Sequence, residues 1–376
     1  MNKEIKALYI HIPFCTNICS YCDFYKMRAK IETKEEYVKT LISELYFRQN
    51  YLKSIKTIYI GGGTPSSLPI NLLRQLFIAL STTIDITKIE EFTVEINPSD
   101  VNLELANLLK EFSVNRISLG IQSFQKAKLE LLGRNHDENT CKQAVKILKE
   151  TGFSNISADL IFGLPIDTIM LIRRDIAKVI NLGLTHISYY ALMLEEKTVL
   201  YHKYRKKEFF PLSDDKLARL YKYICRTLNL YGYKQYEISN FAKKSYQSIH
   251  NQVYWNNERY LGLGAGASYY LNDTRYMNEC NLNRYKKAVL NNEMTYQEEM
   301  PLDKTTQMIE EVMLGLRQIK GINLESFYNK YGLRISEVFP ITKTLLKKKL
   351  LVIKKGHIFI PQKKFFISNS IILYFI

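Results

Sequence analysis

Residues 7–22 read ALYIHIPFCTNICSYC and place a cysteine-rich loop directly after an apolar run. The run Ala7–Ile12 is rich in β-forming residues and ends at a proline, so it predicts a buried strand. Cys15, Cys19 and Cys22 follow within eight residues of one another. Three thiolates on one loop can each bind a different iron of a 4Fe–4S cubane and leave the fourth iron without a protein ligand. A structural zinc site would need a fourth cysteine or histidine nearby, so the spacing favours the cluster.

The other three cysteines, Cys141, Cys225 and Cys280, are isolated along the chain. Because structural disulfides are rare in the cytosol, the tight trio indicates metal binding or redox chemistry, whereas the isolated cysteines are typical of small buried side chains. The N-terminal residues contain no apolar signal segment, and no run of about 18 apolar residues could cross a membrane. We therefore expect a cytoplasmic protein.

Strand-like runs alternate with helical patterns from the N-terminus to about residue 240. The predicted strands are Ala7–Ile12, Thr57–Ile60, Glu91–Ile96, Asn115–Leu119, Ile156–Phe162 and His186–Leu192. The predicted helices are Thr33–Leu52, opened by a capping box of Thr33 and Glu36, then Leu72–Leu80, Leu103–Phe112, Asn139–Glu150, Thr168–Asn181 and Asp214–Leu230. Such alternation predicts a parallel sheet and an α/β fold, a partial (β/α)6 TIM-like barrel that gathers its functional groups at the carboxyl ends of its strands.

Residues 1–240 are thus predicted to be the core domain, and the pattern changes twice beyond it. Residues 241–300 lose the periodicity, which predicts an ordered but irregular connection. Residues 301–376 become helical again, over 302–319, 324–331 and 335–349, and then strand-like over 350–353 and 357–360. Three helices and a small hairpin predict a small winged-helix-like α+β domain at the C-terminus.

The chain of 376 residues carries 53 Lys and Arg against 37 Asp and Glu, a formal net charge of +16. Its hydrophobic fraction of 46% excludes a disordered or fibrous chain. An excess of positive charge favours an anionic partner such as nucleic acid, a membrane surface or a carboxylate-rich ligand. The basic residues are spread along the chain except near 347–355, and a compositional bias toward lysine produces the same charge, so the charge alone identifies no partner.

Polar and glycine residues stand where the predicted strands end. Gly63 and Thr64 follow the second strand, Glu95 ends the third, Gln122 follows the fourth and Asp159 ends the fifth. A basic residue, Arg134, lies in the segment LGRNH before the next helix. Each of them alone is better explained as a surface or helix-capping residue, but the carboxyl ends of parallel strands meet at one edge, so together with the cysteines they predict one site.

The pattern C-x3-C-x-Y-C that ends at Cys22 resembles the signature of the radical S-adenosylmethionine (SAM) superfamily. In that superfamily the amino and carboxylate groups of SAM chelate the open iron, and reductive cleavage yields a 5′-deoxyadenosyl radical. The resemblance covers essentially the whole chain and extends to the oxygen-independent coproporphyrinogen oxidase branch. It implies that Tyr9 contacts the methionine part of SAM, Tyr21 contacts the adenine, and Gly63 and Thr64 bind the ammonium. The implied contacts of the SAM ribose and carboxylate are Glu95, Gln122, Arg134 and Asp159.

Two departures separate the sequence from the oxidases of this branch. Phe24 stands where they have a further cysteine, and their N-terminal extension is not seen before the first strand. Instead, residues 250–255 read HNQVYW and resemble the HNxxYW motif of the HemW-type haem chaperones. That resemblance implies His250 as a ligand of haem iron, with Tyr254 and Trp255 supplying stacking surface and hydrogen bonds. The same residue types also suit a structural histidine within an aromatic cluster.

We therefore predict a haem chaperone that holds a 4Fe–4S cluster and SAM and delivers haem to haem-accepting proteins. The alternative is a coproporphyrinogen III oxidase, which would abstract hydrogen from propionate side chains before decarboxylation; this activity is not expected. A nucleic-acid binder, suggested by the charge and the lysine-rich wing, is a third class, and no nucleic acid is expected as partner. The sequence leaves open whether any reaction is catalysed, whether the protein forms a homodimer and whether it touches a membrane peripherally.

Overall fold

Six parallel strands, paired in chain order, form the centre of the fold. The computed structural model describes residues 4–376 of the chain. The strands are β1 (Ala7–Ile12), β2 (Thr57–Gly62), β3 (Glu91–Ile96), β4 (Arg116–Gln122), β5 (Asn155–Phe162) and β6 (His186–Ala191). Each of the six predicted strands is therefore confirmed, and β1 and β3 have the predicted bounds.

Eight helices follow these strands in the core. They are α1 (Ile31–Phe47), α2 (Ile70–Thr83), α3 (Leu103–Glu111), α4 (Lys126–Leu132), α5 (Glu138–Glu150), α6 (Ile169–Asn181), α7 (Val199–Arg205) and α8 (Asp214–Leu230). The side chains of Asn102, Asp137 and Thr168 accept backbone N–H groups at the starts of α3, α5 and α6. The predicted capping box at Thr33 is wrong, because α1 begins earlier, after Lys30, which makes no side-chain cap. The sequence patterns missed α4 and α7, since about two turns are too short to establish a helical period.

The prediction of an irregular connection over 241–300 is also wrong. Strands β7 (Lys234–Gln235) and β8 (Asn240–Ala242) continue the sheet beyond β6, and β9 (Tyr260–Leu263), β10 (Ser268–Leu271), β11 (Thr274–Asn278) and β12 (Tyr296–Pro301) continue it beyond β1. Helices α9 (Ile249–Trp255) and α10 (Leu282–Leu290) lie between them. The strands are short, and turn residues interrupt them: Asn272 and Asp273, both with positive φ, form the tight turn between β10 and β11. The Asn- and Gly-rich composition thus belongs to turns between strands that are too short to show a period.

The sheet curves around an interior without closing on itself. Its twelve strands run in the order β12-β11-β10-β9-β1-β2-β3-β4-β5-β6-β8-β7, with β9 parallel to β1 and β8 antiparallel to β6. Side chains from β2 to β6 line one common cavity, namely Tyr59, Glu95, Ser118, Asp159 and Ser188. This arrangement is the predicted partial (β/α)6 barrel, extended at both edges.

Glu44 of α1 anchors the extension at the β9 edge to the core. Its carboxylate is fully buried and accepts hydrogen bonds from the backbone N–H of Gly264 at 2.7 Å and the hydroxyl of Tyr285 at 2.6 Å. Arg48, the residue that follows α1, pairs with the same carboxylate at 3.5 Å. A buried carboxylate without partners would be strongly destabilising, so these contacts fix α1, the turn after β9 and α10 relative to one another.

The C-terminal domain contains five α-helices and a small sheet, where the sequence predicts three helices and a hairpin. Its elements are α11 (Lys304–Gly315), β13 (Ile322–Asn323), α12 (Leu324–Tyr331), α13 (Ile335–Val338), α14 (Ile341–Lys347), β14 (Val352–Lys354), β15 (His357–Phe359) and α15 (Ser368–Ile372). The helix predicted over 335–349 is divided at Pro340, and the hairpin gains β13 as a third strand. Among residues 4–376, no helix combines the length and the apolar character needed to cross a bilayer.

Candidate functional site

A cavity of about 520 Å³ opens at the carboxyl ends of the parallel strands. It is lined mainly by the loop after β1, which carries the three clustered cysteines, and by residues of β2 to β6 and of the segments that follow them. The predicted residues that line it are Cys15, Cys19, Tyr21, Cys22, Gly63, Thr64, Glu95, Gln122, Arg134 and Asp159. The structure thus gathers into one place residues that are up to about 140 positions apart in the sequence.

The cysteine loop is closed at its base by two backbone hydrogen bonds. The N–H of Cys15 donates to the carbonyl of Met27 at 2.9 Å, and the N–H of Met27 donates to the carbonyl of Pro13 at 2.7 Å. All three clustered cysteines are unpaired thiols, and all three face the cavity. Within residues 4–376, no three His, Cys, Asp or Glu side chains are grouped to bind a single metal ion. A cubane takes its three thiolates on three different irons, so its ligands need not converge on one point.

Donor groups lie beside the cysteine sulfurs. The guanidinium of Arg134 places Nη1 at 3.3 Å from the Sγ of Cys19, and the hydroxyl of Thr64 donates to the Sγ of Cys15 at 3.5 Å. Burial raises the pKa of the Cys22 thiol to about 11 and also raises the pKa of the Cys15 thiol. Without a metal these thiols would therefore stay protonated, and iron would displace the protons because a coordinated thiol is deprotonated.

The glycine turn after β2 runs directly against the cysteine loop. Gly62 has φ of +113°, a region that L side chains rarely adopt. A Cβ on Gly63 would lie 2.8 Å from the carbonyl oxygen of Phe14, so a larger residue would push the two segments apart. The N–H of Thr64 donates to the same carbonyl at 2.8 Å. Glycine is required here because the backbone itself forms the wall of the cavity beside Cys15.

Two carboxyl groups face the cavity from β3 and β5. Glu95 accepts hydrogen bonds from the hydroxyl of Tyr59 at 2.7 Å and the N–H of Gly62 at 3.2 Å, and burial, assisted by the charge of Asp159, raises its pKa to about 7. Asp159 accepts a hydrogen bond from the hydroxyl of Ser118 at 2.8 Å, and burial raises its pKa as well. Both are placed as acceptors for hydroxyl or ammonium groups of a ligand.

Arg134 and Gln122 form the side of the cavity between the carboxyl groups and the cysteines. Arg134 donates through Nη2 to the carbonyl of Gly120 at 2.6 Å and to Oδ1 of Asn97 at 3.2 Å. Gln122 follows an irregularity in the pairing of β4 with β5 and adopts a positive φ of 62°. A non-glycine residue in this region is held by its surroundings, which is typical of functional sites.

Tyr9 lies outside the lining of the cavity. It sits in the middle of β1, where its hydroxyl is 2.8 Å from Nδ1 of His11 and its ring packs 6.2 Å from the ring of Tyr59. Burial, assisted by the charge of Glu95, raises the pKa of Tyr9. The structure places Tyr9 behind Tyr59, from where it supports the wall of the site.

The three predicted haem residues also lie outside the lining. His250 is fully buried in α9, with Nδ1 at 2.8 Å from the hydroxyl of Thr57 and Nε2 at 2.7 Å from the hydroxyl of Tyr254. Burial lowers the pKa of His250 to about 3, so the ring is neutral. In this arrangement both ring nitrogens are engaged by protein hydroxyls, which does not fit a haem ligand. Trp255 is half-buried at the end of the helix.

The sequence relationships agree with this geometry. Residues 9–179 match the Radical SAM superfamily, and residues 302–366 match the HemN C-terminal domain. A Lactococcus lactis protein named Heme chaperone HemW is 40% identical over 373 residues, which are 99% of this chain and 97% of that protein. The chain belongs to the HemW family. A Bacillus subtilis HemW is 35% identical over 371 residues, which are 98% of each chain.

A solved structure supports the fold of this HemW-family chain. Coproporphyrinogen III oxidase (HemN) from Escherichia coli, described as a radical SAM enzyme, superposes with a TM-score of 0.85 over 99% of this chain and 90% of that one. At 20% identity the likeness shows the shared architecture alone. Membership of the radical SAM superfamily implies a 4Fe–4S cluster and SAM. The residues present fit both groups: three unpaired thiols face one cavity, and backbone, carboxyl and guanidinium groups surround them.

Several cavity residues were not predicted from the sequence. Arg116, Ser118 and Ser188 point inward from β4 and β6, and Asn251 reaches the cavity from α9. Alternate polar positions in the strands carried a signal, because inward-facing residues of a strand recur every second position. The HNQVYW motif alone does not indicate that Asn251, rather than His250, faces the cavity.

Proposed function

We propose that this chain is a haem chaperone that carries a 4Fe–4S cluster and SAM and delivers haem to haem-accepting proteins. The observation that carries the proposal is the identity of 40% over nearly its whole length with a protein named for that role. The match extends over both the core and the C-terminal domain, so it concerns the whole architecture rather than one shared motif.

In this proposal the cluster is held by Cys15, Cys19 and Cys22. When bound, the cluster supplies an iron without a protein ligand and a source of one electron for SAM. Arg134 offsets the negative charge of the thiolates from its position beside Cys19. The donor hydroxyl of Thr64 does the same at Cys15.

The residues beyond the cysteines would orient SAM. Gly63 and Thr64 expose backbone groups to the ammonium, and Tyr21, which lines the same cavity, would pack against the adenine. The remaining polar residues of the cavity would bind the ribose and carboxylate; they are Glu95, Gln122, Arg134 and Asp159. A carboxylate that accepts from two ribose hydroxyls needs to be ionised, which links binding to the raised pKa of Glu95.

Phe24 weighs against oxidation of coproporphyrinogen as the function. Its side chain is 70% exposed at the cavity and stands where the oxidases have a further cysteine. An oxidase must hold a large anionic substrate at reacting distance, where errors of about 1 Å are costly. An exposed phenyl ring supplies none of the charge or thiol chemistry of a cysteine.

We place the protein in the cytoplasm and its work in haem metabolism. The six cysteines of the described chain are unpaired, which suits a reducing compartment, and a thiolate-bound cluster requires the same condition. The acceptors are haem proteins that receive a finished cofactor.

Anaerobic reconstitution followed by a haem titration tests the proposal. We expect stoichiometric haem binding by the reconstituted protein and transfer of that haem to an added apo-haem protein, with no conversion of coproporphyrinogen III in the presence of SAM and reductant. Detection of the two-vinyl product by chromatography would favour the oxidase, and an absence of haem binding would refute the chaperone function.

A further inference from the structure

The mouth of the cavity carries apolar side chains that are open to solvent. Ile18 is 40%, Phe24 70%, Tyr190 43% and Met193 66% exposed, and all four line the cavity. A side chain that both lines a cavity and is exposed must lie at its opening. We call these four residues the rim.

The rim joins two separate parts of the chain. Ile18 and Phe24 belong to the cysteine loop, while Tyr190 and Met193 lie at and after the end of β6. The two parts are tied together because the N–H of Leu200, at the start of α7, donates to the carbonyl of Ser20 at 2.9 Å. This bond connects the cysteine loop to the segment that follows β6, beside the rim.

The rim is distinct from the polar residues that suit SAM. The polar residues that suit SAM lie within the cavity, where Glu95 and Asp159 are held by hydrogen bonds from Tyr59 and Ser118. The rim instead presents apolar side chains to solvent. Clustered exposed apolar side chains mark binding surfaces in soluble proteins.

We propose that haem docks on the rim, with its apolar face against Phe24 and Met193; this inference rests on the proposed function. An aromatic ring and a flexible thioether suit the flat, polarisable face of a porphyrin. Lys26 lines the same cavity and offers a positive charge to the propionates of haem. Asp23 and Glu195 also line it, and their carboxylates would repel propionates placed beside them.

The burial of His250 supports the same location. Haem could reach that ring only if the bonds to Thr57 and Tyr254 were broken and α9 were displaced from the barrel. The helix is held at its start by Glu91, which accepts hydrogen bonds from Ser248 Oγ at 2.9 Å and from the His250 N–H at 3.0 Å. The HNxxYW helix thus packs against the first residues of β2 and β3 at the floor of the barrel, whereas the rim lies at the opening of the cavity.

Equilibrium haem titration of rim variants tests this proposal. We expect Phe24→Asp and Met193→Asp each to weaken haem binding by about tenfold, because a buried contact is replaced by a charge that repels the propionates. Phe24→Leu, which keeps an apolar side chain, should stay within about threefold of the wild type. Met193 lies on a different segment from the cysteines, so its variant tests the rim even if Phe24→Asp disturbs the cluster loop.

Two controls are available in the same chain. Leu230→Asp alters a side chain that is 82% exposed at the far end of α8 and outside the cavity lining, and it should leave haem affinity unchanged. His250→Gln, with folding checked by thermal unfolding, should also leave haem affinity unchanged.

The outcomes separate this inference from the proposed function. If the wild type binds no haem, the chaperone function itself fails. If the wild type binds haem and both Asp variants bind it equally well, the rim proposal alone is overturned, even where transfer to an acceptor protein is impaired. Loss of haem binding in a folded His250→Gln protein would also overturn it.

Discussion

Arg134 links the predicted cluster to the rest of the site, with one nitrogen beside Cys19 and another on the carbonyl of Gly120. Since three thiols are gathered here, we expect Cys15→Ser, Cys19→Ser or Cys22→Ser to abolish the brown chromophore of the reconstituted protein. Iron content and visible absorbance measure this. Cys225→Ser is the matched control, because that thiol lies on α8 and should leave iron content unchanged. A full complement of iron in the triple variant would contradict the assignment.

The carboxyl group of Glu95 makes SAM binding dependent on pH. Its pKa is raised to about 7, so below neutrality it is protonated and offers no negative charge to the cationic ligand. SAM affinity of the wild type should therefore rise from about pH 6 to about pH 8, and Glu95→Gln should bind about tenfold more weakly at the higher pH with a flatter profile. Calorimetry at each pH measures both.

Glu237→Gln is the control for this prediction. Burial raises the pKa of Glu237 to about 7 as well, but that residue does not line the cavity. Its variant should keep the wild-type affinity and pH profile. Equal behaviour of the two variants would remove Glu95 from the SAM site.

The sequence predicted which residue types belong to the site better than it predicted which of their side chains reach the cavity. Glu95 was found because it is next to last in β3, and the ends of parallel strands converge. Asp159, which the sequence analysis places at the end of its strand, lies three residues before the end of β5 and still faces the cavity. Tyr9 is equally far from the end of β1 but does not line the cavity, so distance from the strand end does not decide which side chains face the site. His250 and Asn251 are neighbours on a helix and point about 100° apart, so the motif alone cannot tell which of them meets the cavity.

At the scale of elements, Lys128 fixes α4 against the barrel. Its ammonium is fully buried and contacts Asp167 at 2.9 Å, Asp175 at 3.1 Å and the carbonyl of Ile161 at 3.1 Å. Ile161 lines the cavity, and α4 leads directly into Arg134, so this contact positions two walls of the site.

Removing this charge should destabilise the fold. Lys128→Met leaves two buried carboxylates without their cation, which costs about 3–5 kcal/mol of unfolding free energy. Lys126→Met, in the same helix, alters a side chain that is 90% exposed and should change the unfolding free energy by less than about 0.5 kcal/mol. Urea unfolding followed by circular dichroism compares them, and equal midpoints would show that the buried cluster contributes little.

Elements were predictable where they were long and periodic. The bounds of β1, β3 and α8 are as predicted because the two strands are almost continuously buried runs and α8 has a helical apolar period over 17 residues. Strands β9 to β12 escaped prediction because turn residues interrupt their patterns, and β9 is positioned by pairing with β1, which is distant in sequence. Tertiary contacts, rather than local propensity, define that part of the sheet.

At the scale of the whole molecule, hydrogen bonds and an ion pair connect the core domain to the C-terminal domain. Gln318 donates to the backbone carbonyl of Trp255 at 2.9 Å, and the N–H of Ile319 donates to the carbonyl of Tyr236 at 3.0 Å. A half-buried ion pair at 2.8 Å connects Arg275 of β11 to Glu310 of α11. These contacts tie α9, β11 and the domain boundary into one structure.

We therefore expect the two domains to unfold together. Trp255 is the only tryptophan of the chain and sits at this junction, so its fluorescence would change first if the C-terminal domain detached before the barrel unfolded. In urea, the fluorescence transition should coincide with the loss of helical circular dichroism, which reports both domains. Arg275→Leu should shift both transitions to lower urea by the same amount, since a partly buried pair is lost while the domains stay coupled. A fluorescence transition that precedes the circular dichroism would instead show that the C-terminal domain docks weakly and that α9 is released before the barrel opens.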